Sequence, residues 1–148
     1  MTESGIVDPL LAYALNTSLV EPELVEVFQL DKRECDAEVA RRSFRLFHQA
    51  ATAGSAFAMC VCSRLCRIGW GCAHSNEDSF LWAKDAEENG FPPGSYEVGN
   101  CYEFGIGVIA DLIEARHHYK IAAERGFGFA AFHLAKMYKS GKFGIPDT

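Results

Sequence analysis

The chain is short of positive charge: 14 Lys and Arg stand against 20 Asp and Glu, a formal net charge of -6 over 148 residues. That balance argues against a general affinity for nucleic acid or anionic lipid, while leaving room for a local basic face. No segment approaches the roughly 20 apolar residues needed to span a bilayer. The opening "MTESGIVDPLLAYALNTSLV" has no basic stretch ahead of its apolar residues, as an export signal would. These absences predict a soluble, unexported, cytoplasmic protein that meets neither membrane nor nucleic acid. With 49% apolar residues the chain is long enough to bury a core and short enough to form one domain.

Six cysteines are present, at 35, 60, 62, 66, 72 and 101. In a secreted chain they would suggest a disulfide scaffold; without an export signal, reduced thiols acting as small core residues are expected.

What the chain does have is a stride. Gly54, Gly90 and Gly126 lie 36 residues apart and close the phrases "LFHQAATAG", "WAKDAEENG" and "HYKIAAERG". Eight residues before each glycine stand Leu46, Trp82 and His118; four before it stand Ala50, Ala86 and Ala122. After each glycine the alignment continues through Ala58, Gly94 and Ala130, then Cys62, Val98 and Leu134, then Cys66, Tyr102 and Tyr138, then Gly69, Gly105 and Gly141. The spacing of four is helical. A small residue admits a neighbouring helix, a larger one fills the gap, and glycine supplies the left-handed stop.

Each period is therefore helix, turn, helix, with helix A near 55–68, 93–104 and 128–140 and helix B near 36–53, 76–89 and 111–125. No strand is required. Pro92 and Pro93 suit a helix start, and Ser75 and Asp111 suit caps. "DPLLAYALN" and "EPELVEVFQLD" predict two short helices within residues 1–35 that cap the first repeat, and the last helix A lacks a following helix B.

The turn "GIGVIA" spells G-x-G-x-x-A, a fragment of the dinucleotide fingerprint. That chemistry needs a buried strand to deliver the glycines so that backbone amides face a pyrophosphate. Here "YEVGNCYEF" delivers them, a helical stretch, and the same turn recurs as "GWG" and "GKF". The motif reads as a turn, and no cofactor is implied.

With this register in view, "GSYEVGNCYEFGIGVIADLIEARHHYKIAAERG" resembles the Sel-1-like repeat, a relative of the tetratricopeptide repeat. Val98, Gly99, Tyr102, Gly105, Gly107, Val108, Asp111, Ala115, Tyr119, Ala122, Ala123 and Gly126 occupy the family's places, with Gly94 where an alanine is usual and His118 where an aromatic is usual. Residues 54–89 resemble a degenerate copy, 90–125 the best one and 126–148 a partial one, within a continuous 36–148 domain. The resemblance implies an all-α fold, a right-handed α-α superhelix, used without catalysis as an adaptor; bacterial members often act in host interaction or signalling. In relatives, cysteine pairs join the helices of a repeat; here helix B has only Cys35 near its edge, which weakens any transfer of disulfides.

In solenoids of this type helix A lines the concave side. Three columns recur there: Cys60, Tyr96 and Phe132; Arg64, Asn100 and Lys136; Arg67, Glu103 and Lys139. Steps of four and three put them on one face. Arg64, Arg67, Tyr96, Asn100, Glu103, Phe132, Lys136 and Lys139 are the candidate contact residues for a protein or peptide partner, acidic or extended. The bland reading makes them ordinary solvated or packing positions. Two further readings are a homodimer through the uncovered last helix, and a metal or redox role for Cys60, Cys62, Cys66, Cys72 and His74. Against the metal, Cys60 and Cys62 point to different faces and no second C-x-x-C completes a tetrahedron. The adjacent His117 and His118 diverge by about 100 degrees on a helix, and no nucleophile with an ordered base is evident, so no catalytic residue is expected.

Overall fold

In the computed structural model residues 8–17, 20–30 and 32–143 are described, and they form eight α-helices and no strand. The helices are α1 (Pro9–Thr17), α2 (Pro22–Phe28), α3 (Ala37–Thr52), α4 (Ala56–Ile68), α5 (Asn76–Glu88), α6 (Pro92–Phe104), α7 (Leu112–Glu124) and α8 (Gly128–Lys139). From α3 onward each helix packs on the next, and α4 also touches α6. Consecutive hairpins therefore stack with like helices side by side. The helix A series is α4, α6 and α8; the helix B series is α3, α5 and α7.

Local chemistry explains the boundaries. Asp36, Ser55, Ser75 and Asp111 each accept a hydrogen bond from an amide of the helix they open, satisfying donors that have no partner inside the helix. Proline opens α2 and α6, where its missing amide hydrogen costs nothing. In the turn after α6, Gly107 has φ +71°, and a Cβ there would lie 2.5 Å from the Asn76 carbonyl oxygen. One stride earlier Gly71 has φ +75°, with a Cβ position 2.2 Å from the Ala40 oxygen. Both the left-handed backbone and the close approach to the start of the preceding helix B require glycine. The "GIGV" segment is thus the turn that seats one hairpin on another, delivered by helix α6.

The fully buried column of the B helices falls one residue later than Leu46, Trp82 and His118: it is Phe47, Ala83 and Tyr119, while Leu46 is exposed. Phe47 belongs to a core shared by α1 to α5 that reaches Phe91, Tyr119 to a second core over α6 to α8, and Ala83 to a small cluster with Val98 and Cys101. Tyr119 lies against Gly99, whose added Cβ would meet the ring at 2.6 Å. Bulk on one helix is matched by its absence on the next.

α2 closes the start of the stack: Phe28 packs on Phe57 with ring centroids 5.5 Å apart, and Ser55 Oγ donates to Glu21 at 3.0 Å. α1 takes another path. Asp8, just before it, reaches Arg64 on α4, and Tyr13 meets Phe91 and Phe127, the residues preceding α6 and α8, at 5.6 and 5.7 Å. α1 consequently runs across the helix A side of successive hairpins.

Candidate functional site

The column Cys60, Tyr96 and Phe132 shows what stacking does to one repeat position. Cys60 is 0% exposed, Tyr96 8% and Phe132 61%. Tyr96 is enclosed by Tyr119, Phe127, Phe129 and His133, with ring centroids 5.2 to 5.5 Å away. Phe132, on α8, has the Lys136 ammonium 5.5 Å above its ring. Tyr96 is therefore core, and Phe132 faces outward.

The other two columns divide between two polar networks. At the α4 to α6 junction Arg64 Nε donates to Glu97 Oε1 and its Nη1 to Asp8 Oδ2, each at 2.9 Å. Arg67 Nη2 stands 3.9 Å from Glu97 Oε2. The Glu97 side chain is only 2% exposed, and a carboxylate removed from water needs partners such as these guanidinium groups to offset its lost hydration. Burial alone would pull the Arg64 pKa down; Glu97 and Asp8 outweigh it, and the net shift is upward. The guanidinium stays charged.

At the α6 to α8 junction the Tyr119 hydroxyl shares its proton between Asn100 Oδ1 at 2.7 Å and Glu103 Oε1 at 2.6 Å. His133 Nε2 lies 3.0 Å from the same Glu103 oxygen, and Lys142 Nζ donates to Oε2. Burial pushes the Glu103 carboxyl up, but hydrogen bonds from Lys142, Tyr119 and His133 overcome it, and its pKa lies below the usual value. The Tyr119 phenol is held well above its ordinary range by burial and then by the adjacent Glu103.

Of the eight candidate residues, Tyr96, Asn100 and Glu103 are thus occupied inside the stack. Arg64 and Arg67 are about a quarter exposed, with side-chain exposures of 25% and 28%. Phe132, Lys136 and Lys139 face outward on α8. Reading the sequence missed Glu97, Asp8, Tyr119 and His133 as members of this side. For Glu97 and His133 a signal existed: the stride aligns them with Val61, so polar side chains stand where an apolar residue is tolerated.

Cys60, Cys62, Cys66 and Cys101 are buried thiols outside any disulfide. Burial raises all four thiol pKa values, those of Cys62, Cys66 and Cys101 to about 12, whereas metal ligation and redox attack need thiolate. Among the described residues no three His, Cys, Asp or Glu side chains are grouped to hold a metal. The metal and redox reading of Cys60 to Cys72 has no structural support. His118 is a packing residue: its Nδ1 is 2.5 Å from Glu87, and the ring stacks on Tyr102. No helix among the described residues is long and apolar enough to cross a membrane.

Hairpins of two helices stacked at a fixed stride, with aligned small residues and recurrent turn glycines, define an α-α solenoid. The Sel1 repeat model matches residues 37–55, 92–127 and 128–148, and the chain belongs to the Sel1 repeat family. It is similar to a chitin synthase regulator SKT5 of Malassezia restricta, 37% identical over 73 residues, covering 48% of this chain and 5% of that protein. Its fold is similar to a Sel1 repeat protein of Oxalobacter formigenes, with TM-score 0.66, 28% identity, and coverage of 74% of this chain and 31% of that one. A second structure, c5321, a protective antigen of uropathogenic Escherichia coli strains, aligns at TM-score 0.64 and 20% identity over 74% of this chain and 23% of its own. This chain spans less than a third of each of these proteins. They come from a fungus and from bacteria, so they do not single out a kingdom. Sel1 repeats generally mediate contacts between proteins.

Proposed function

We propose that the chain is a non-catalytic scaffold whose helix A side binds a protein or peptide. The observation that carries this reading is that the same side already accepts a short helix: α1 lies across it, held by the Asp8 to Arg64 ion pair and by Tyr13 among aromatic rings. Such a surface offers cationic and aromatic groups to an incoming segment, as recognition of an amphipathic helix in a groove demands. Lys136 and Lys139 extend the basic character along α8, while α5 carries Glu77, Asp78, Asp85, Glu87 and Glu88 on the helix B side.

A second reading is favoured by one observation. Phe132 is bare where its equivalents Cys60 and Tyr96 are buried, so α8 presents a face that another hairpin, or a second copy as a homodimer, would cover.

Photo-crosslinking amino acids placed at Phe132 and Lys139 on the helix A side, and at Leu81 and Ile113 on the helix B side, test the principal reading. Adducts to another protein from the first pair alone are expected; adducts from the second pair alone, or none, overturn it. Adducts to the chain itself from Phe132 indicate the dimer. Charge reversal suits Lys136 and Lys139, but at Arg64 it would set a new carboxylate against buried Glu97 and confuse binding with folding.

A further inference from the structure

The way α1 is seated specifies what the helix A side would take. Arg64 and Arg67 face the single carboxylate of Glu97 at their junction, which leaves one positive charge, and Asp8 answers it. Beyond the acid come Leu10, Leu11 and Ala14, all at most 2% exposed, and these fall on one helical face. Tyr13 adds edge contacts to Phe91 and Phe127. Leu15, Asn16 and Thr17 remain outside. The seat therefore reads a carboxylate, then an apolar helical stripe.

Asp8 performs two tasks with its two oxygens. Oδ1 accepts from the Leu10 amide at 2.9 Å, satisfying a donor in the first turn of α1, while Oδ2 accepts from Arg64. Binding and helix formation are thus coupled through one side chain. At nine residues, α1 is below the roughly 12–15 residues at which an isolated helix becomes marginally stable in water. Off its seat it would unravel, which keeps an otherwise well-matched occupant weak.

We propose, building on the reading above, that the helix A side recognises an amphipathic helix headed by a carboxylate, and that α1 is a tethered copy of that ligand which vacates the seat when the partner arrives. A partner segment of this kind competes with a local concentration in the millimolar range if the tether is flexible, so its own affinity must exceed that of α1 for the face to open.

The probe is a fluorescent peptide with the sequence of residues 8–17, blocked at both ends and titrated by anisotropy into the full chain and into full chain carrying Leu11→Asp, which unseats α1. The peptide is expected to bind the variant at least tenfold more tightly than the unaltered chain, and peptide bearing Asp8→Asn to bind the variant at least tenfold more weakly. Equal binding to both chains, or to neither, overturns the proposal. If Leu11→Asp lowers the helix content of the whole chain, hydrogen exchange on the unaltered chain decides. α1 amides exchanging at least tenfold faster than those of α6 support a detachable helix; exchange in step with α6 overturns it. Adducts at Phe132 and Lys139 without peptide binding would remove the mimicry and leave the scaffold standing, whereas loss of both removes the scaffold reading as well.

Discussion

Arg67 on α4 stands 3.9 Å from Glu97 on α6, and one stride later Glu103 on α6 stands 3.0 Å from His133 on α8. The two links use the same pair of repeat positions with the acid and the base exchanged. A side chain near the end of one helix A reaches back to the second turn of the next, so stacked hairpins recreate the contact whatever residues fill it.

The first junction tests how a buried acid is held. Arg64→Met leaves Glu97 with only the distant Arg67, and an uncompensated buried charge costs about 3–5 kcal/mol. Adding Glu97→Leu to Arg64→Met should recover most of that loss, since an apolar pair of similar size is often neutral or stabilising. Urea unfolding of the two singles and the double, read as a mutant cycle, measures the coupling. Equal losses for Arg64→Met alone and for the double would show that Glu97 does not depend on Arg64.

The second junction should be sensitive to acid. The folded pKa of Glu103 lies below its ordinary value, and about 4.3 is usual for an unfolded glutamate. Its contribution is accordingly complete above the unfolded value and lost as pH falls through the folded one. Glu103→Gln is expected to be less stable than the parent at pH 7, with the difference shrinking below pH of about 4. Thermal melts across this range check the sign; a difference that grows in acid would contradict it.

Two identical substitutions on neighbouring helices should act in opposite directions. At Gly99 a Cβ would stand 2.6 Å from the Tyr119 ring, itself fully buried, while at Gly128 a Cβ would meet nothing within 4 Å. Overpacking costs typically 1–3 kcal/mol, against at most about 1 kcal/mol gained from exchanging glycine for alanine in a helix, the full value being for interior positions and Gly128 being the first residue of α8. Gly99→Ala should therefore destabilise, and Gly128→Ala should be neutral or stabilising by a few tenths to about 1 kcal/mol. Denaturant midpoints of both variants suffice to check this.

The helices were readable from residue types because each boundary is set locally. Ser75 and Asp111 bond to amides within their own first turns, and glycine at a fixed stride marks the turns. The same economy failed for Glu97. In sequence it is a glutamate in the middle of a helix, which ordinarily means a solvated face; its burial depends on Arg64, 33 residues away, and on α1 covering that side. Tyr96 was similarly placed among candidate contacts because its column falls on one helical face, and periodicity alone does not show that rings from Tyr119, Phe127, Phe129 and His133 close over it. The path of α1 was not legible either. "DPLLAYALN" announces a helix with an apolar face, but which surface receives that face is decided by the charge left over between Arg64, Arg67 and Glu97.

The exposure of one column, from Cys60 through Tyr96 to Phe132, gives a direct measure of what a following hairpin contributes. Tyr96 packs on rings from α7, α8 and the segment between them, whereas Phe132 is 61% exposed. Truncating a buried aromatic to alanine costs about 3–5 kcal/mol, while exposed positions change stability by about 0.5 kcal/mol or less. Tyr96→Ala should then unfold the α6 to α8 core at markedly lower denaturant, and Phe132→Ala should leave the midpoint nearly unchanged in a monomer. Measured at several protein concentrations, Phe132→Ala also reports on self-association. If the unaltered chain gains stability with concentration and the variant does not, a second copy covers Phe132; if both are independent of concentration, the homodimer reading falls.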